Sequence, residues 1–297
     1  HVRPEKPGGT GGLDARTAIA NVKSPDEWVR AWTVQLVSES RENIERVLRE
    51  IDEQGLTADP DLYQMAESDP SPVVRLYIAS AAQRLPEELR ANLVRRLLGR
   101  SEDAGDHNLP LMYWYAMEPL VADHPPEALQ AAVETKLPKI LNFTARRIAA
   151  EGTAEARDLL AEALQRLEDS TKQLDVLRGL SAAFRGQRSV PMPKSWDAVE
   201  SKLTASSHGE VRMLTQQLSL TFGSQTALAA MRKMVGDVSA EAGARRAALD
   251  SLLAARDGEV PTLLLKLLND ATLRGVALRS LASFDNTVTQ NFVAGSI

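Results

Sequence analysis

Gly209-Glu210-Val211-Arg212, Ala242-Gly243-Ala244-Arg245 and Ala271-Thr272-Leu273-Arg274 are three short stretches with one pattern, and their reading decides the fold. Each lies where a run begins in which apolar residues return every three or four positions, the spacing that gathers side chains on one face of an α-helix. Val211, Leu214, Leu218 and Phe222 form one such stripe. The three arginines stand about 33 and about 29 residues apart, and Arg178, in Asp175-Val176-Leu177-Arg178, stands about 34 before Arg212, steps that suit a two-helix repeat. Working towards the N-terminus, the same apolar-Arg mark recurs in Pro72-Val73-Val74-Arg75 and Glu27-Trp28-Val29-Arg30. Weaker starts at Asn108 to Met112 and Leu137 to Ile140 bring the array to about eight units. The longer step from Arg30 to Arg75 implies an insertion.

The segments between these marks are helical in pattern too, as in Ile44, Val47, Leu48 and Ile51, or Val260, Leu263, Leu264, Leu267 and Leu268. No run alternates with the period of two that a half-buried strand needs. Ser24-Pro25-Asp26-Glu27 reads as an N-cap serine, a first-turn proline and a capping-box glutamate, and Asp69-Pro70-Ser71-Pro72 as a second start of that kind. The expected fold is therefore all-α: an α-α superhelix, or solenoid, of helix pairs over residues 14–297. Residues 1–13, with Gly8-Gly9-Thr10-Gly11-Gly12, read as a flexible linker at the cut edge of a longer chain. Residues 286–297 read as the start of one more helix, without a polar capping face.

Composition narrows the functions. Of 297 residues 43% are hydrophobic and only 4% aromatic, so the core must be built mainly from alanine and leucine, which favour helix. The net charge of −5 opposes non-specific attraction to phosphate backbones and anionic membranes, which calls for clustered positive charge. No window approaches the roughly 20 apolar residues that cross a bilayer, so direct membrane insertion is not expected. With no cysteine, the chain has no disulfide, thiolate metal site, thiol nucleophile or covalent haem attachment.

Little in the chain suggests catalysis. His1, His107, His124 and His208 fall in no ligand spacing, and His124 and His208 read as turn residues at helix starts. No metal and no cofactor is expected. The acidic loop from Asp103 lacks the ligand order of a calcium-binding EF-hand. It runs into Leu109-Pro110-Leu111-Met112-Tyr113-Trp114-Tyr115, and Asp106, His107, Tyr113 and Trp114 are the candidate binding residues, since aromatic groups with polar tips suit recognition surfaces. Trp28 and Trp32 are weaker candidates that read as core. Arg95-Arg96, Arg146-Arg147 and Arg245-Arg246 read as solvated or structural pairs.

An acid ahead of an apolar-Arg pair resembles the HEAT motif, here Asp26 with Arg30, Asp69 with Arg75 and Asp270 with Arg274, and Arg212 and Arg245 belong to the same series. In that family such residues form a ladder between repeats, so the fold implied is about eight HEAT-like helix pairs. Asp26-Glu27-Trp28-Val29-Arg30-Ala31-Trp32, Asp69 to Tyr77 and Asn108 to Met112 together resemble the HEAT-repeat portion of large planctomycete and verrucomicrobial proteins described as membrane-bound dehydrogenases. Those chains carry a β-propeller before the repeats and a c-type cytochrome domain after them. The resemblance implies a non-catalytic scaffold or protein-interaction module in an extracytoplasmic setting, whose partners are the flanking propeller and cytochrome domains or an external protein. The alternatives are a HEAT-like DNA glycosylase, which the acidic balance opposes, and a tetrapyrrole binder of the chromophore-lyase kind.

Overall fold

Asp14 opens the first helix by accepting the backbone N–H of Thr17, and half of the described α-helices that follow start in the same manner, on a polar side chain that meets the unpaired donors of the first turn. The computed structural model describes residues 13–282 other than 59, 60 and 188, together with 284. Among these residues the regular structure is entirely helical, and it divides at Glu151 into two units.

Unit one contains α1 (Ala15–Asn21), α2 (Glu27–Val37), α3 (Arg41–Glu53), α4 (Leu62–Ser68), α5 (Pro72–Ala82), α6 (Glu87–Leu98), α7 (Leu109–Asp123), α8 (Pro125–Glu134) and α9 (Ile140–Ala150). Helices α2, α5, α7 and α9 pack side by side in one row, with α4, α6 and α8 in a second row against them. This is a solenoid-like stack of helix pairs. The insertion expected between Arg30 and Arg75 is present: α3 and α4 both lie there, where a regular repeat has a single helix. Between the rows, Ile78, Leu93, Leu97, Met117, Ile140 and Ile148 are fully buried.

Unit two contains α10 (Ala154–Arg166), α11 (Ser170–Ala183), α12 (Trp196–Thr204), α13 (Gly209–Thr221), α14 (Gln225–Gly236), α15 (Ala242–Ala254), α16 (Val260–Leu267) and α17 (Arg274–Leu281). Its helices pair as α12 with α13, α14 with α15 and α16 with α17, and α10 and α11 lie against α12 and α13 respectively. Leu249, Leu252, Val260, Leu264 and Ala277 fill the last part of this core. Gly223, at φ 72°, turns the chain out of α13 so that the Ser224 N–H reaches back to the Ser219 carbonyl, a turn that L residues adopt reluctantly.

Two helix starts differ in detail from the sequence reading. The N-cap of α2 is Asp26, which accepts the Trp28 N–H at 2.8 Å, and Ser24 instead accepts the N–H of Asp26. Ser71 and Pro72 take the expected cap and first-turn places in α5. Asp14 belongs to the folded part, residues 1–12 lie outside the described residues, and so do residues 286–297 with their expected helix.

The arginine ladder exists, with different partners. Arg30 pairs not with Asp26 but with Asp69, through two parallel bonds of 2.8 and 2.9 Å that hold its guanidinium firmly in the charged form. Its third nitrogen donates to the Ser24 carbonyl, six residues back in the turn before its own helix. Arg75 repeats the device, donating to the Asp69 carbonyl and to both carboxylate oxygens of Asp103. Arg245 bonds the Val235 carbonyl and the Asp270 carboxylate, which its guanidinium draws below the ordinary aspartate range. Among the described residues Arg212 and Arg274 bond only the turn, Arg212 at the Ser206 and Ser207 carbonyls and Arg274 at that of Leu268 six residues back.

Asp26, Asp69 and Asp270 therefore do not bridge to the arginine of their own helix. Each uses side-chain oxygens to accept N–H groups of the turn that follows it, and in Asp69 and Asp270 the carboxylate also reaches the arginine of the preceding repeat. Arg178 is not a rung of this kind. It forms a half-exposed bidentate pair with Glu210, while Gln173 takes the ladder place in α11, donating to the Leu167 carbonyl six residues back. A glutamine supplies the amide donor that the turn needs, without the charge that made the arginines visible in the sequence.

Candidate functional site

The four candidate binding residues do not form one site. Asp106 stands two residues ahead of Asn108, the N-cap of α7, and accepts the N–H groups of Asn108 and Leu109 at 2.7 and 2.8 Å, bonds that hold its carboxyl below the ordinary range. His107 is exposed beside it. Tyr113 is buried, donating its hydroxyl to Asp103 at 2.6 Å, and burial pushes its phenol far above the usual value. It belongs to the ladder between α5 and α7, not to a surface. Trp114 is half-buried against Phe143 of α9, the ring centroids 5.5 Å apart. Asp103 joins Arg75 to Tyr113, whereas the sequence marks it only as the start of an acidic loop, because it sits ten residues ahead of Tyr113 and not within a turn of a marked arginine.

The structure points elsewhere, to the outer side of the row α2, α5 and α7. Trp28 and Trp32, expected in the core, are 52% and 53% exposed, and Leu36 continues their stripe one turn further. The core face of α2 is made by the smaller Ala31, Thr33 and Val34. Beside Trp32, Tyr77 of α5 meets its ring at a centroid distance of 5.9 Å and a tilt of 59°. On α7, Leu111 and Tyr115 are exposed one turn apart.

These helices enclose a groove of about 460 Å³. Helix α2 lends it Trp32 and Gln35; α5 lends Leu76, Tyr77 and Ser80; and Asn108, Leu111 and Met112 come from the start of α7. No lining residue is charged. Gln35, Ser80 and Asn108 make no side-chain hydrogen bond among the described residues, and the indole N–H groups of Trp28 and Trp32 are equally unused. The groove offers aromatic surface with neutral donors and acceptors, which is the chemistry of recognition; it holds no acid-base pair or activated nucleophile.

Depressions lie elsewhere too. In unit two, about 420 Å³ lies beside Asp197, Glu200, Ser201 and Thr204, but the buried Glu200 carboxylate already accepts the Ser224 hydroxyl at 2.6 Å. In unit one an apolar cleft of about 310 Å³ lies between α3 and α6, with Val47, Leu48, Ile51 and Leu93 in its walls. Among the described residues no three His, Asp or Glu gather as a metal-ligating group, and no helix is long and apolar enough to cross a membrane. One arginine of each pair is engaged, Arg147 with Glu118 and Glu151, Arg245 with Asp270, and Arg96 over the Tyr63 ring at 4.9 Å, while Arg95, Arg146 and Arg246 are exposed.

No family model matches the chain, and no curated protein matches it. Among solved structures, a crystal structure of an engineered protein from a structural genomics consortium matches at 15% identity over 90% of this chain and 88% of its own, with a TM-score of 0.31.

Proposed function

We propose that the chain is a non-catalytic interaction module that docks a protein segment on the aromatic face of α2, α5 and α7. One observation carries this reading: the large rings of Trp28, Trp32 and Tyr115 stand in water while small residues fill the core beneath. Covering the exposed half of each ring would add part of the roughly 1.5–3 kcal/mol that full burial of a large side chain gains, which a partner's surface can supply. The neutral lining supports a protein partner over a phosphate backbone, which needs free positive charge at the binding face. The wider context we propose is a multidomain, extracytoplasmic dehydrogenase and cytochrome-type protein, in which the module spaces a propeller and a haem domain or recruits an external protein.

Site-specific crosslinking tests this reading. A photoreactive phenylalanine analogue at position 32, and another at exposed Glu88 on α6, would be irradiated with the candidate flanking domains present. Capture from position 32 alone supports docking on this face. Equal capture from both positions, or from neither, sinks it.

A further inference from the structure

We propose that the apolar cleft between α3 and α6 is a binding site for an uncharged, largely hydrocarbon molecule, such as a medium-chain or terpenoid alcohol. The cleft arises from the insertion. Where a regular repeat has one helix, α3 and α4 both stand, and they take different neighbours: α3 packs on α1 and α2, while α4 packs on α5 and α6. The apolar stripe of α3 is therefore only partly covered, with Ile44 and Val47 buried but Leu48 50% exposed. Leu89 and Leu93 of α6 line the opposite wall. The cleft shares no lining residue with the groove of α2, α5 and α7, and the proposal stands independently of docking there.

Size and polarity select the ligand. A cavity of about 150 Å³ lined by aliphatic and aromatic side chains takes up one benzene ring, so a cleft of about 310 Å³ suits about twice that, a molecule of about 12 carbon atoms. Its walls hold no lysine, arginine or histidine, so a carboxylate or phosphate entering it would lose its water and find no countercharge. The one lining carboxylate, Asp61, already accepts the Gln64 N–H at 2.8 Å as the cap of α4. The lining hydroxyls of Thr33 and Ser38 give their hydrogens to the Val29 and Val34 carbonyls, each four residues back. Tyr63 is then the one lining side chain whose hydroxyl makes no hydrogen bond among the described residues. A single free hydroxyl can meet one alcohol or carbonyl group, whereas a sugar or nucleotide would leave most of its polar groups unpaired.

The test is titration of the whole chain with N-phenylnaphthylamine, an uncharged dye that brightens in apolar surroundings, and then displacement by dodecanol, dodecanoate and dodecylammonium. We expect one dye per chain at micromolar affinity, displaced at least about tenfold more effectively by dodecanol than by either ion. Among straight-chain alcohols, affinity should rise about fourfold per added carbon and level off near dodecanol, beyond which further chain stays in water. Leu48→Trp and Leu89→Trp fill the cleft from opposite walls, and each should weaken the dye at least about tenfold with circular dichroism unchanged. Trp32→Ala, in the other groove, should leave dye binding as it is. Displacement by an ion as effective as by dodecanol, affinity that climbs undiminished to hexadecanol, or full dye binding by the folded tryptophan variants overturns the proposal. So does loss of the dye in Trp32→Ala, which would place it on the docking face, and so does a chain that binds no dye at all.

Discussion

Arg75 is 3% exposed and holds two elements at once, the Asp69 carbonyl at the start of its own helix and the Asp103 carboxylate of the next repeat. Removing it strands a buried carboxylate with Tyr113 as its remaining side-chain donor. Arg75→Met should therefore cost about 3–5 kcal/mol, and Tyr113→Phe about 1–3 kcal/mol, in urea unfolding. Because both side chains bond one carboxylate, the double variant should depart clearly from the sum of the two; additive losses would refute the coupling. A titrating residue gives a gentler test. His124 Nε2 lies 2.5 Å from Glu87 Oε1 on the surface, and that bond raises the imidazole above its ordinary value. With the folded value raised, the contribution to stability is present below the unfolded value near pH 6.5 and disappears as pH climbs through the folded one. NMR titration should find His124 above the usual histidine range in the native chain, and back within it in Glu87→Gln.

At the scale of the helix, α2 shows why the fold was legible and the site was not. Its sequence, Glu27-Trp28-Val29-Arg30-Ala31-Trp32-Thr33-Val34-Gln35-Leu36-Val37, carries two apolar stripes, Trp28 with Trp32 and Leu36, and Ala31 with Val34. Either satisfies the helical period, so periodicity establishes the helix without saying which stripe faces in. Size suggests the tryptophans, but close approach of α5 needs the small residues, and packing overrides the area rule. Asp103 was hidden for a different reason, since its partners Arg75 and Tyr113 depend on where two helices meet and not on local spacing, whereas Gln173 keeps the six-residue spacing of the arginines without their charge. The capped starts, by contrast, were readable because the N–H groups of a first turn need an acceptor within three residues. The two kinds of tryptophan should separate in experiment. Trp32→Ala should change stability by no more than about 0.5 kcal/mol, as at most surface positions. Trp196, at 0% exposure, packs on Phe222 at 4.6 Å and donates to the Ser219 hydroxyl, so Trp196→Ala should cost about 3–5 kcal/mol. Comparable losses from both, measured by denaturant titration, would place Trp32 in a core.

For the whole molecule, the governing fact is that each unit carries its own rows of helices, its own core and its own rungs. In unit one the rungs run from Arg30 through Asp69 and Arg75 to Asp103; in unit two Arg232 with Asp257 and Arg245 with Asp270 do the same work. Stability of stacked repeats is a sum over neighbours, so a piece that keeps its neighbours keeps its fold. Residues 13–151 and 152–284, expressed separately, should each be helical and unfold cooperatively. Tryptophan emission makes the test specific, because Trp28, Trp32 and Trp114 all lie in the first fragment and Trp196 alone in the second. The second fragment should emit to the blue and shift strongly to the red on unfolding, as its single indole leaves a sealed site. The first should emit further to the red while folded and shift less, since two of its three indoles already stand in water. A second fragment with red emission and a broad, non-cooperative transition would mean that its core around Trp196 forms only within the full chain, and the division at Glu151 would then describe packing but not folding.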